Sequence, residues 1–137
     1  MKLLSALRIA GSGLKAQRVR LNVASMNLAN AHVTRTIEGG PYRAKDVILA
    51  ATPLKNGGHD QLSEVKVIEI VDDPSPFKEV YDPTHPDADE RGIVKYPNVD
   101  VLTEMVELLS AGRAYEANLT VVNTTKTLAL KTLEILR

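Results

Sequence analysis

VDVLTEMVELLSAGRAYEANLTVVNTTKTLALKTLEILR, residues 99–137, decides the fold. Val101, Leu108, Tyr115, Val122, Ala129 and Leu136 recur every seven residues. Met105, Gly112, Leu119, Lys126 and Leu133 follow four residues after the first five of them. This 3.5-residue period predicts a helix over 99–136 with a coiled-coil seam. Lys126 is the one polar seam position, and its aliphatic stem can cover apolar surface. Pro97 ends whatever precedes the helix, and Asn98 or Asp100 can cap its first turn. Glu104 and Glu107 suit the positive end of the helix dipole, and Arg137 the negative end. At 1.5 Å per residue such a helix runs roughly 57 Å, too long for a compact globule of this size.

Working back to the N-terminus, residues 3–30 read as a second helix. Leu7, Leu14, Leu21 and Leu28 are spaced by seven, with Leu3, Ala10, Gln17 and Ala24 four residues before each. Gly11 and Gly13 each weaken a helix by about 1 kcal/mol relative to Ala, unless they admit a close neighbour. Asn27 and Asn30 fall where Asn is at ease in a cap or turn.

Between the helices lies a β-rich, turn-rich insert. Gly39–Gly40 and Gly57–Gly58 mark turns, and 42–51 and 62–71 read as a hairpin. Residues 72–90 hold four prolines among Asp and Ser, around a short FKEVY piece. They form a loop or extended arm and cannot be helical. Residues 91–96 make a short returning strand. The fold class is therefore mainly α with a β-rich insert. The layout is a helix at 1–33, an insert at 34–98 and a helix at 99–137, the two helices pairing in one elongated domain.

Composition narrows the function. The 137 residues are 44% hydrophobic but only 4% aromatic, with no Trp, so contacts must be built from Leu, Val, Ile and Ala. No Cys is present, which excludes disulfides and thiolate metal sites. The net charge is zero, yet residues 1–31 hold five bases and no acid, whereas 32–98 are acidic. Such asymmetry favours head-to-tail association or an anionic surface. No apolar run reaches the ~20 residues of a membrane span, and the basic residues from Arg8 to Arg20 break up any signal-peptide core.

Enzymatic and ligand chemistry finds little support. Asp82, Pro83, His85, Pro86, Asp87 and Asp89 include metal-ligand types, but the spacing fits neither an EF-hand nor a zinc helix motif. A solvated, subunit-contacting loop is the better reading. His32 and His59 lack a nucleophile and an orienting acid. Gly11-Ser12-Gly13 follows no strand, so it is not a phosphate loop. No cofactor, small-molecule substrate or nucleic acid is expected, since the insert is acidic and offers no stacking platform. The alternative function is a peripheral membrane module using the basic N-terminal helix, although that helix lacks Trp and Phe anchors.

Two paired helices bury one stripe each. Leu4, Ile9, Val19, Val23, Leu102, Val106, Leu109, Val121, Leu128, Leu130 and Ile135 lie off both seams. A contiguous apolar surface of that kind marks a protein partner, and a repeating contact that does not close makes a filament. The expected assembly seam is Leu7, Leu14, Leu21, Leu28, Val101, Met105, Leu108, Tyr115, Leu119, Val122, Leu133 and Leu136.

The motifs also carry a resemblance. IAGSGLKAQRVRLNVASMNLANA at 9–31, with Asn27, Leu28, Ala29 and Asn30 followed by Thr34, resembles the N-terminal signature of flagellar axial proteins. GGPYR at 39–43, YDPTHPDAD at 81–89, YPNVD at 96–100 and EMVELLSAGRAYEAN at 104–118 are together similar to the FlgC-type proximal rod family. Ala24-Ser25-Met26-Asn27 departs from the doubled Asn often found before LAN. The resemblance implies a structural rod subunit of the basal body that transmits torque across the periplasm. It implies passage through the flagellar type III export apparatus without a cleaved signal peptide. It also implies contact with other rod subunits, copies of itself and the basal adaptor protein.

Overall fold

The computed structural model describes residues 2–54 and 62–135. The chain runs α1 (Lys2–Ala29), β1 (Lys45–Pro53), β2 (Ser63–Asp72), β3 (Lys78–Tyr81), β4 (Ile93–Tyr96) and α2 (Val101–Ile135). It is mainly α with a β-rich insert, as the periodicity implied. Leu136, Arg137, His59 and the Gly57–Gly58 turn lie outside the described residues.

The helices pack side by side and antiparallel. Asn27 near the end of α1 bonds Glu104 near the start of α2. Gly13 meets Asn118, where a Cβ on the glycine would fall 2.8 Å from the Asn118 Oδ1. These two pairings lie fourteen residues apart on each helix, or two heptads. That constant register is the mark of coiled-coil packing. Gly13 thus admits a close neighbour, a side chain rather than a backbone, while Gly11 faces open space. Since α2 has 35 residues against 28 in α1, its final turns run on past the described start of α1.

Capping fixes where α2 begins. Asp100 accepts from the Leu102 N–H at 3.1 Å and from the Thr103 hydroxyl at 3.0 Å, satisfying an orphan donor of the first turn. Asn98 is free of that duty and braces the insert. It accepts the Ala44 N–H at 2.8 Å and donates to the Asp73 and Ser75 carbonyls. Arg43 donates to the same two carbonyls and stacks 4.2 Å from the Phe77 ring centre.

β1 and β2 form the expected antiparallel hairpin, with a register shift at Ile48/Leu49. The stretch over 72–90, expected as a loop or extended arm, contains β3, which pairs antiparallel with β4. The FKEVY piece becomes strand because the returning strand supplies its ladder partners. Gly92, at φ +74°, turns the chain into β4, and a Cβ there would fall 2.9 Å from the Tyr81 ring. A small core of Ala31, Ala44 and Val99, with Tyr42 against it, sits where the insert meets the helices.

Candidate assembly surface

The surface the two helices share is narrow and poor in large side chains. The buried residues of α1 are Ala10, Gly13, Ala16, Val23, Ala24 and Asn27. On α2 the inward stripe steps by four and three through Glu104, Leu108, Ala111, Tyr115, Asn118, Val122, Thr125 and Ala129. One of the two expected rows on α2, with Leu108, Tyr115 and Val122, is therefore on the inward stripe. The other is not: Met105, Leu119, Lys126 and Leu133 are exposed and Gly112 is half-buried, while Val101, at the start of the first row, is exposed too. Their place in the pair is taken by Glu104, Ala111, Asn118 and Thr125. On α1, Leu7, Leu14, Leu21 and Leu28 are only half-buried, beside a deeper stripe of small residues. The seam within one chain is thus a mixed one on α2, with Leu108, Tyr115 and Val122 alternating with Ala111, Asn118 and Thr125. Small residues bring the backbones close and leave leucine to the flanks.

Large aliphatic side chains lie outside. Leu102 (70% exposed), Met105, Val106 and Leu109 (64%) follow an i, i+3, i+4, i+7 pattern on the side of α2 away from α1. Leu128, Leu130, Leu133 and Ile135 stand out at the far end. Burying each such side chain stabilises by about 1.5–3 kcal/mol, against roughly 0.8 kcal/mol for a single methylene-sized group. The outside of this hairpin therefore holds more latent burial energy than its alanine-rich inside.

One polar knot locks the pair. Asn27 is 1% exposed. Its Nδ2 donates to the Lys45 carbonyl at 2.9 Å and to Glu104 Oε1 at 3.0 Å. Its Oδ1 accepts from the Tyr42 hydroxyl at 2.9 Å and the Lys45 N–H at 3.0 Å. All four bonding positions of the amide are used, tying α1, β1 and α2 together. Asn30, by contrast, closes the helix end by donating to the Met26 carbonyl. The sequence alone offered a cap for both; burial at a seam position separates them.

Burial pushes the Glu104 carboxyl above the usual range, with the Asn27 bond opposing and Asp46 and Glu107 adding to the rise. A raised folded value means that the folded chain binds more protons. The stability from this group therefore grows as pH falls through that value and is eroded as pH rises. Glu104→Gln keeps the acceptor for Asn27 and removes the charge. It should raise the unfolding free energy at neutral pH by under ~1 kcal/mol, with the advantage vanishing in acid.

The 82–90 loop is organised from within. Asp82 accepts from the Thr84 N–H and hydroxyl, and Asp89 from the Arg91 and Ile93 N–H groups. His85 accepts the Asp87 N–H and meets the Tyr96 ring edge-on. Pro83 packs beside Gly92. Asp87 accepts from the Thr34 hydroxyl at 2.8 Å and pairs with Arg35. These contacts hold its carboxyl below the usual range, the Thr34 bond foremost. Thr34 of the motif thus fastens the loop to the end of α1. Pro86 lines a shallow hollow with Thr34 and Asp87.

The bases of α1 are partly spent inside the chain. Arg8 pairs with Glu64 at 3.1 Å and Arg20 with Glu107 at 2.6 Å. Ser12 accepts the Val65 N–H, so α1 also carries the edge of β2. An open cleft runs between them, lined by Leu7, Ala16, Val19, Val65 and Val67. No described helix is long and apolar enough to cross a membrane.

A helical hairpin with small and polar residues inside and large aliphatics outside is a building block of a larger helical assembly. Comparison with known proteins says which one. The model for flagella basal body rod proteins matches residues 7–35, and that for the flagellar basal body rod FlgEFG protein C-terminal region matches residues 90–135. The flagellar basal-body rod protein FlgC of Yersinia enterocolitica is 49% identical over 137 residues, covering 98% of each chain. That of Salmonella typhimurium is also 49% identical, over 98% of each, and that of Bacillus subtilis 45%, over 95% of each. The chain belongs to the FlgC family of flagellar basal-body rod proteins. It is a structural subunit of the rod, not an enzyme, and the membrane-module alternative is not favoured.

Proposed function

We propose that the helices of 1–33 and 99–137 form the inner packed layer of the rod while the 34–98 insert faces outward. The exposed members of the expected seam, Val101, Met105, Leu119 and Leu133, then contact neighbours. The chain occupies the proximal rod, reaches it through the type III export apparatus without a cleaved signal, and transmits torque across the periplasm. Its neighbours are other rod subunits, copies of itself and the basal adaptor protein, with the 82–90 loop as a further contact. The observation that carries this reading is the inverted hairpin, whose aliphatic side chains outside exceed those within. Stiffness under torque follows if those side chains interdigitate between subunits at interior packing density.

The test is a double substitution, Leu130→Asp with Leu133→Asp, in cells with no other copy of this chain. Both positions are exposed, so the purified variant should keep its unfolding free energy, from urea denaturation, within about 0.5 kcal/mol. Motility and isolable rods should be lost. Normal swimming with intact rods would overturn the reading.

A further inference from the structure

Ile37 stands fully exposed at the tip of the turn that follows α1. A lone exposed aliphatic side chain is ordinary, but this one is held out on a stiff mount. The Thr36 N–H donates to the Gly40 carbonyl at 2.8 Å and the Gly39 N–H to the Thr36 carbonyl at 3.1 Å. Gly39 and Gly40, at φ +90° and +75°, make so tight a reversal possible. Below them the Tyr42 N–H donates to the Val33 carbonyl. A knob fixed in this way loses little conformational freedom when it is buried. Beside it, Glu38 forms no ion pair among the described residues and feels only a longer-range attraction from Lys45, which itself pairs with Asp72. Arg35 is engaged by Asp87. The tip therefore presents one aliphatic side chain and one carboxylate without an ion-pair partner.

The cleft between α1 and β2 has the complementary character. It encloses about 580 Å³ and is walled by Leu7, Ala16, Val19, Val65 and Val67. Gly11 also lines it, and a Cβ there would meet nothing within 4 Å, so a hole opens between the neighbouring side chains. Lys15 and Lys66 border the cleft and form no ion pair among the described residues, whereas Arg8 is spent on Glu64. An apolar hole beside two unpaired bases is the counterpart of an aliphatic knob beside an unpaired acid. A chain cannot fill its own cleft. Tyr42, at the foot of the turn, bonds Asn27, and the helix between Asn27 and Ser12 in the cleft is roughly 22 Å long. We infer that the 36–40 turn of one copy seats Ile37 in the α1–β2 cleft of another, with Glu38 against Lys15 and Lys66. The contact joins the insert of one copy to the flank of α1 in its neighbour. It uses neither the seam between the helices nor the exposed rows of α2. It rests on the rod reading, which brings the copies together, and names a surface between them. One knob buries far less than the ~800 Å² per partner of a stable complex. The contact therefore holds in the rod, where other contacts fix the neighbours, and not between isolated copies.

The chain has no cysteine, so introduced thiols report cleanly. Chains carrying both Ile37→Cys and Gly11→Cys, in cells with no other copy, are oxidised within isolated rods. Peptide mapping should find the 11–37 link between copies at least fivefold above the 11–11 and 37–37 links. Lys66→Cys, at an exposed position on the cleft rim, takes the place of Gly11→Cys if that variant folds poorly. Adding Glu38→Lys should cut the 11–37 link at least threefold, and Lys15→Glu with Lys66→Glu should restore it. Rods of normal yield without the link, with same-site links in excess, or with a link indifferent to Glu38→Lys would overturn this contact and leave the rod reading standing. Absence of the chain from isolated rods would overturn both.

Discussion

Replacing Asn27 with Leu should destabilise the folded chain by about 3 kcal/mol, although Leu is apolar and of similar size. The four partners of the amide are the Lys45 N–H and carbonyl, the Tyr42 hydroxyl and Glu104. All would lose their bond at a site that is 1% exposed. An unsatisfied buried group costs about 1–3 kcal/mol, and some of the four will recover water. Burial already raises Tyr42 and Glu104 from their ordinary values, so each has lost part of its solvation before the bond is removed. Against a typical domain stability of about 5–15 kcal/mol, the loss is severe. Asn30→Ala is the control. It removes one exposed bond to Met26 and should cost under ~1 kcal/mol. Urea denaturation of the purified chains decides. An Asn27→Leu chain within 1 kcal/mol of its parent would show that the knot is dispensable.

The second large effect lies on α2, where positions two residues apart should behave in opposite ways. Ala111 is wholly buried against α1. Ala111→Leu adds three carbons to a seam closed by small side chains, and overpacking of this kind costs about 1–3 kcal/mol. The variant should melt early as a monomer. Leu109 points away from α1 and is 64% exposed. Leu109→Asp should leave the monomer's urea midpoint in place yet abolish rod assembly and swimming. Folding is thus separated from assembly on one helix. A destabilised Leu109→Asp monomer, or an unaffected Ala111→Leu monomer, would mean that the inward stripe is misplaced.

The heptads made both helices legible, because a 3.5-residue period persists whatever covers it. The insert was readable from its glycines and prolines, although β3 was not, since a four-residue strand draws its stability from a partner rather than from its own pattern. The seam was legible only in part, with one expected row of each helix at the pair and the other beside it. Sequence periodicity weights Leu and Met over Ala, Asn and Thr, so it found the richest apolar rows on each helix. Beside Ala10 and Ala24 of the expected row on α1, the hairpin also buries Gly13, Ala16 and Ala111, small residues outside both rows. Met105, Leu119 and Leu133, read as seam positions for assembly or for pairing within the chain, lie exposed outside the pair. The usable signal for the inward stripe was Asn27 itself, a polar residue at seam spacing among alanines. A buried Asn at such a position specifies register. The 82–90 loop was recognised as a turn from its Asp and Pro content, but its fastening to Thr34 through Asp87 spans 53 residues and leaves no local trace.

The central claim is that the apolar exterior of this hairpin becomes the interior of the rod. Maleimide labelling tests it most directly, with a single thiol introduced by Leu133→Cys in motile cells. In the purified monomer the thiol should react rapidly, because Leu133 is 65% exposed. In intact isolated rods its labelling should fall at least tenfold and return when the rods are dissociated. Equal labelling in rods and monomer would contradict the account.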